Sequence, residues 1–226
     1  MLIKAQHIEK IYSNADIDTL ALNKINLEVR EGEFLSIMGQ SGCGKSTLLN
    51  LLGLLDLPTK GTLLFDGVDV LTLSSYKRAE LRKKNIGFVF QSFNLIDELS
   101  VYENVELPLV YQNVPLFERR QRVMEVLEKL EVAHKKSIFP PHLSGGIQQR
   151  VAVARAVVSK PRLLLADEPT GNLDSKHGQD VMNILTRLNE EGSTIIIVTH
   201  SAEYAAYSNR SIYMLDGQIV TQNIMQ

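Results

Sequence analysis

The sequence is short of several things, and each shortage excludes a class. It has one cysteine, Cys43, in 226 residues. No intrachain disulfide can form, which fits a reducing compartment. It carries no charge excess: the formal net charge is -2, with a pI near 6.2. Without a global basic field, nucleic acid is not expected as a partner. Long apolar runs are also missing. The most leucine-rich stretch, Leu48 to Leu57, is broken by Asn50 and Asp56 and is too short to span a bilayer. The start, Met1-Leu2-Ile3-Lys4, turns polar at once and lacks the basic-then-apolar order of a signal segment. A chain of this kind that works at a membrane is expected to borrow its span from a partner. There is no internal repeat, low-complexity tract or sustained heptad pattern, so a long coiled coil is not expected. The five histidines include His7, His134, His142 and His177, none with the carboxylate or cysteine spacing of a metal cage.

What is present is an ordinary globular balance, 44% apolar and 22% charged, in a chain long enough to bury a sizeable core. Short apolar runs alternate with helical patterns, which predicts an α/β fold. Phe34 to Met38, Ile86 to Phe90, Leu163 to Ala166 and Thr194 to Val198 are continuous apolar runs, as expected of parallel strands covered on both faces. The region up to about Val29 and the segment Thr62 to Val70 suggest antiparallel β. Ile212 to Val220 suggests a hairpin around Asp216-Gly217. Between residues 92 and 160 helical periodicity dominates, apart from a turn at Pro140-Pro141. Val123, Val126, Leu127 and Leu130 form one apolar stripe, and Ile147, Val151, Ala154 and Val158 another. The expectation is one α/β domain over residues 1–226 carrying an inserted helical subdomain at 92–160. The basic run Arg82-Lys83-Lys84 fits a solvated helix end favoured by the helix dipole.

Gly39-Gln40-Ser41-Gly42-Cys43-Gly44-Lys45-Ser46 matches G-x-x-x-x-G-K-[ST] in full. An apolar strand precedes it, and Thr47 to Leu52 continues it as a helix. The glycines let successive N–H groups curl towards phosphate oxygens, and the helix adds its positive dipole end. Lys45 is expected to reach the β- and γ-phosphates and the Ser46 hydroxyl to bind Mg²⁺. A glycine turn alone does not demand Lys and Ser at those places. Cys43 fills a free position of the motif and is expected to be a spectator, although its place in the site exposes it to alkylation. Arg162 to Pro169 is an apolar strand ending in Asp167 and Glu168. Asp167 sits where a strand end holds Mg²⁺ through its water shell. Glu168 is expected to aim elsewhere because strand side chains alternate, and it is the candidate to polarise an attacking water. Ser144-Gly145-Gly146 precedes a periodic helix and forms a second helix N-terminus, readable as an anion site or as a cap with Ser144 as N-cap.

Leu143-Ser144-Gly145-Gly146-Ile147-Gln148-Gln149-Arg150 resembles the signature motif of ABC ATPases, and the remaining elements follow in that family's order. Gln91 resembles the Q-loop glutamine, Gly171-Asn172-Leu173-Asp174 the D-loop, His200 the switch histidine, and Tyr12 the aromatic that stacks on adenine. The resemblance covers essentially the whole chain and implies a P-loop NTPase (RecA-like) core with a parallel sheet and an N-terminal antiparallel β subdomain. It also implies two copies packed head to tail around two ATP molecules. Tyr12 and the loop residues Gly39, Gln40, Ser41, Gly42, Cys43, Gly44, Lys45, Ser46 and Thr47 would take ATP from one copy. Ser144, Gly145 and Gly146 would come from the other, and Asp174 would also bind at the nucleotide. Ser46, Gln91 and Asp167 would hold Mg²⁺, Glu168 would act on the water, and His200 would hold the γ-phosphate. Position 147 is Ile where the common pattern has Gln; the glycines and Ser144 remain, so activity is expected to survive.

Within that family the chain looks most like the macrolide-exporter and lipoprotein-release group. The likeness rests on Met38-Gly39-Gln40-Ser41-Gly42, Asn94-Leu95, Glu103 to Leu109 and Ala166 to Asp174. It implies an ATPase at the cytoplasmic face of the cell membrane, driving an integral membrane permease through the Gln91 to Asn104 segment. A cell-division ATPase shares the same style, so the cargo stays open. Family members that act on DNA or ribosomes carry long coiled coils, zinc modules or two ATPase domains, and this chain has none of these. A non-catalytic binding module is opposed by Glu168 and His200.

Overall fold

The computed structural model of the protein describes residues 1–14 and 17–224. In chain order its strands and α-helices are β1 (Ile3–Asn14), β2 (Ile17–Val29), β3 (Phe34–Gly39), α1 (Lys45–Leu52), β4 (Lys60–Phe65), β5 (Val68–Asp69), α2 (Ser75–Asn85), β6 (Ile86–Phe90), α3 (Val101–Tyr111), α4 (Leu116–Lys129), α5 (Gly145–Val157), β7 (Leu163–Asp167), α6 (Ser175–Glu190), β8 (Thr194–Val198), α7 (Ala202–Ala205), β9 (Arg210–Leu215) and β10 (Gln218–Ile224).

They make two sheets. One has four strands in the order β2-β1-β4-β5, and the other six in the order β10-β9-β3-β8-β7-β6. The first is antiparallel throughout. In the second, β9, β3, β8, β7 and β6 run parallel, and β10 closes the edge antiparallel to β9. The expected antiparallel and parallel regions are therefore both present. Thr62 to Val70 is antiparallel β as expected. It holds the end of β4, a turn at Asp66-Gly67 and β5. Both turn residues have positive φ, 50° and 76°, as does the pair Asp216-Gly217, at 46° and 74°, between β9 and β10. Two successive positive φ angles match the strand twist in a tight hairpin.

The parallel strands explain their own composition. Ile195, Ile196, Ile197 and Val198 are fully buried. Successive residues face opposite sides of the sheet. Leu163 and Leu165 join a core cluster with α1 and the antiparallel sheet, while Leu164 and Ala166 join a second cluster with α3, α4, α5 and α6. Residues 92–160 thus close over the same apolar layer as β3, β8 and α6. α5 lies hard against β6: a Cβ on Gly87 would stand 2.3 Å from the Ala156 carbonyl oxygen. α3 begins with a reciprocal cap in which Ser100 and Glu103 satisfy each other's backbone N–H groups. The basic run Arg82-Lys83-Lys84 falls in the last turn of α2.

Register then places the site. Phe90, Asp167 and Val198 lie level with one another across β6, β7 and β8, and Val198 pairs with Ile37 of β3. The residues that follow, Gln91, Glu168 and Thr199, leave the sheet at one carboxyl edge, beside the loop after β3. Open α/β sheets form their ligand crevice at such an edge. Among the described residues no helix is long and apolar enough to cross a membrane.

Candidate active site

The loop between β3 and α1 is shaped by glycines that no other residue could replace without strain. Gly39 has φ 148°, and a Cβ there would lie 2.4 Å from the Met214 carbonyl oxygen and 2.6 Å from Cys43 Sγ. Gly44 has φ 100°, and its Cβ would lie 2.6 Å from the Ala21 carbonyl oxygen. Gly44 is also the N-cap of α1, and no side chain caps that helix. The first N–H groups of α1 therefore face the loop's concavity, together with the positive end of the helix dipole. Lys45 is buried; its Nζ donates to the carbonyl oxygens of Gly39 and Gln40, both at 2.8 Å, and stands 3.9 Å from Cys43 Sγ. Cys43 is a free, buried thiol packed beneath the loop.

β7 delivers the two acids. The Ser46 hydroxyl donates to Asp167 Oδ1 at 3.3 Å. Glu168 corrects the sequence argument. Its direction is not set by strand alternation, because the chain turns left-handed there, with φ 46°. That conformation disfavours a residue with a Cβ by roughly 1–2 kcal/mol. It is held by the Glu168 N–H donating to the Val198 carbonyl at 3.0 Å and by the Gly171 N–H donating to the Glu168 carbonyl at 3.0 Å. The carboxylate meets His200 Nδ1 through Oε1 at 3.0 Å, while Oε2 is buried without a partner. The His200 ring is 74% exposed. Gln91 is fixed by a reciprocal pair with Asn172: Gln91 Nε2 donates to Asn172 Oδ1 at 3.3 Å, and Asn172 Nδ2 donates to the Gln91 carbonyl at 3.0 Å.

These groups share one cavity of about 770 Å³. Ser41, Gly42, Gly44, Lys45, Ser46 and Thr47 form its loop wall, and Gln91, Asp167, Glu168 and His200 face them. Thr19, Leu20 and Ala21 of β2, Val198 at the end of β8 and the Asp216-Gly217 turn complete it. Sequence reasoning missed those six as site residues; the only local signal was the Asp-Gly pair, read as a turn. Of the predicted loop residues, Gly39, Gln40 and Cys43 do not line the cavity: Gly39 and Cys43 are buried and Gln40 is exposed. Tyr12 does not line this cavity. It lies on β1 opposite Thr19, with its hydroxyl donating to Asp56 Oδ2 at 3.1 Å and Lys10 Nζ 4.9 Å from its ring centroid.

Ser144, Gly145, Gly146 and Asp174 do not line the cavity either. They form a second cluster. Ser144 is the N-cap of α5, yet its hydroxyl makes no cap bond. Asp174 caps α6, accepting from the His177 N–H at 3.0 Å and meeting His177 Nδ1 at 2.6 Å. First the backbone N–H and then the ring of His177 hold the Asp174 carboxyl below its ordinary pKa. The His177 ring lies on Gly146, where a Cβ would stand 2.5 Å from Cδ2. Gly145 lies beside Leu173, Phe93 and Asn172. Ile147 is half-buried against the helical core cluster. Among the described residues no three His, Cys, Asp or Glu side chains are placed to cage a metal ion.

Residues 22–171 match the family model described as ABC transporter. An uncharacterized ABC transporter ATP-binding protein of Methanocaldococcus jannaschii, MJ1508, is 49% identical over 97% of this chain and 98% of its own length. The Bacillus subtilis protein YvrO, also described as an ABC transporter ATP-binding protein, is 46% identical over 97% of this chain and 96% of its own. The macrolide export ATP-binding/permease protein MacB of Brucella melitensis is 47% identical over 97% of this chain, which spans only 34% of that longer protein. Among solved structures, a dimeric post-hydrolysis state of the ATP-binding cassette MJ0796 bound to ADP and Pi superposes with a TM-score of 0.92. It is 42% identical, covering 100% of this chain and 99% of that one. Likeness this extensive in both sequence and fold leads to one conclusion: the chain belongs to the ABC transporter family, as one of its ATP-binding cassettes.

Proposed function

We propose that this cassette hydrolyses ATP between two copies of itself, each nucleotide lying on one copy's glycine loop and sealed by the other's Ser144-Gly145-Gly146. The observation that carries this reading is the division of the site into two clusters. Lys45, Ser46, Gln91, Asp167, Glu168 and His200 converge on one cavity. Ser144, with its hydroxyl unused as a cap, sits with Asp174 elsewhere. A second anion-binding helix end that cannot serve its own loop is suited to serve another copy's. That the relative MJ0796 is dimeric with ADP and Pi bound supports a two-copy site.

In the closed pair, phosphate oxygens take the N–H groups of Gly42 to Thr47, and Lys45 turns from the loop carbonyls to the β- and γ-phosphates. Ser46 and Asp167 already touch through their oxygens, and Gln91 adds an amide oxygen at the same cavity wall. Hard oxygen donors, too few for an all-protein cage, suit Mg²⁺ shared with phosphates and water. Bound there, Mg²⁺ supplies charge neutralisation on the phosphate oxygens. Glu168 accepts the proton of the water as its oxygen bonds to the γ-phosphorus and the bond to ADP breaks. His200, exposed at the cavity mouth, donates to the γ-phosphate. Catalysis is chiefly positioning and electrostatics. Tyr12 contributes the open face of its ring to adenine.

Loss of the γ-phosphate removes the bridge between copies, so the pair reopens. We assign residues 92–160 as the unit that carries this motion to a membrane permease at the cytoplasmic face. An apolar groove of about 650 Å³ lies beside it, lined by Phe88, Phe90, Leu107 and Pro108 together with Arg82, Lys83 and Arg155. MacB, in which a related cassette and a permease share one name, supports that partner.

Glu168→Gln tests the reading. It is expected to keep ATP affinity, lower turnover about 10²–10⁴-fold, the range of a positioned general base, and accumulate a dimer with MgATP in light scattering. Turnover within tenfold of the unaltered chain would remove Glu168 from its role, and lone copies at saturating MgATP would overturn the two-copy site.

A further inference from the structure

One buried polar side chain has no place in the mechanism above. Gln149, on α5, is fully buried. Its Nε2 donates to the Pro169 carbonyl at 2.6 Å and stands 3.5 Å from the Phe90 carbonyl. Its Oε1 is buried with no partner. A buried acceptor left unpaired opposes folding, so the Oε1 half of the amide does not stabilise the core. The amide's value therefore lies in what its N–H₂ group holds.

Both carbonyls it faces belong to neighbours of proposed site residues. Phe90 directly precedes Gln91, and Pro169 directly follows Glu168. Pro169 has no N–H, so its carbonyl is the one backbone hydrogen-bonding group it offers to fix its own place after Glu168. Glu168 itself is in the disfavoured left-handed region and keeps that shape only if its surroundings over-determine it. Val198 and Gly171 hold two sides of the turn, and Gln149 holds the third. Gln149 lies four residues after Gly145, about 6 Å along the axis of a rigid helix, on the same helix whose tip carries the signature loop.

We propose that Gln149 is a positioning residue that transmits engagement of the α5 tip at one nucleotide to the Glu168 turn serving the other. The proposal rests on the two-copy reading above. A shift of α5 as its tip meets the partner's phosphates moves the Gln149 amide, and with it the Pro169 carbonyl and the aim of the Glu168 carboxylate. Each site then fires only when its own copy's α5 is also engaged.

Gln149→Met keeps the length and removes the donor. Thermal unfolding of this variant is expected within about 4 °C of the unaltered chain, because the unpaired Oε1 is gone but the Pro169 carbonyl loses its donor. Its kcat is expected to fall about tenfold or more, the loss of roughly one hydrogen bond felt in the transition state. KM is expected to stay within about threefold, and the Hill coefficient for ATP to fall towards 1. In Gln149→Glu, a neutral acid can donate to Pro169 whereas a carboxylate cannot, and burial raises the acid's pKa. Its kcat is expected to rise as pH is lowered from about 8.5 to 6.5, unlike that of the unaltered chain. The assignment is overturned if Gln149→Met keeps kcat within about twofold. It is equally overturned if kcat falls only in step with a lowered unfolding temperature, the mark of a structural role. If Glu168→Gln forms a MgATP-dependent dimer and Gln149→Met turns over normally, the Gln149 assignment alone fails. If Glu168→Gln forms none, the two-copy reading fails and the coupling with it.

Discussion

Replacing Gly44 by alanine separates backbone strain from contact at the phosphate loop. Gly44 has φ 100°, which an alanine adopts at a penalty of roughly 1–2 kcal/mol. The added Cβ would also stand 2.6 Å from the Ala21 carbonyl oxygen and 3.0 Å from Leu22 Cδ2. The first neighbour is backbone of β2 and cannot rotate away, so overpacking of about 1–3 kcal/mol adds to the strain. The sum is about 3 kcal/mol. For a chain of this size each kcal/mol lowers the unfolding temperature by about 2–4 °C, which gives a fall of about 6–12 °C. Gly32→Ala is the control. Gly32 has φ 75°, but a Cβ there meets nothing within 4 Å, so only the backbone penalty applies, about 2–8 °C. Thermal unfolding of both variants, with urea midpoints at unchanged slope, reads the difference directly. If Gly44→Ala is no less stable than Gly32→Ala, the contact with β2 carries no weight and the reasoning fails.

Lys45→Ala removes the loop's only ammonium group, and the loss of charge-assisted phosphate bonds worth about 1.5–3 kcal/mol is expected to weaken MgATP binding about 10–100-fold. Calorimetric titration checks it, and an unchanged affinity contradicts the role. Asp56 gives a pH signature. Burial acts to raise its pKa, but Lys10, the Leu57 N–H and the Tyr12 hydroxyl outweigh that and hold it below the ordinary carboxylate value. A folded pKa below the unfolded one contributes stability that is complete above about pH 4 and is lost as pH falls through the folded value. Asp56→Asn is therefore expected to flatten the decline of the urea midpoint below about pH 4, and identical slopes in both proteins would refute it.

The core strands were legible because strands buried on both faces appear as unbroken apolar runs. Ile195 to Val198 is such a run, and its boundaries fell where the sequence put them. The same feature hid which side each residue faces: Leu163 and Leu164 look alike in sequence yet belong to different core clusters. α6 carries Val181, Ile184, Leu185 and Leu188 at helical spacing, all buried, and this stripe was present to be read. α2 has no buried residue, so only its basic last turn gave it away. Within the site, the Gly39 to Ser46 loop is local in sequence and was fully legible. Thr19 to Ala21 join it only because β2 passes against Gly44 and Gly217, a contact no local pattern encodes. The Glu168 turn was misjudged for a related reason. Alternation holds only while the strand continues, and β7 ends at Asp167.

The short loop after Gln91 shows why the site cannot be understood as a cavity alone. Asn172 holds Gln91 by two bonds and passes within reach of Gly145, as does the Phe93 ring. Phe93 and Asn94 are both left-handed, with φ 61° and 51°, and each carbonyl accepts from the Arg155 guanidinium of α5. Burial pulls the pKa of that guanidinium below its usual value, so this is a desolvated charge engaged by carbonyl dipoles. Arg155 and Asn94 also line the apolar groove. One loop of four residues, 91–94, therefore touches the phosphate cavity, the Ser144 cluster and the groove, in a strained backbone that α5 clamps. A segment strained in this way is suited to two discrete arrangements rather than to gradual bending. Under the two-copy reading proposed above, a change at the γ-phosphate would reach the groove by changing which arrangement that loop adopts.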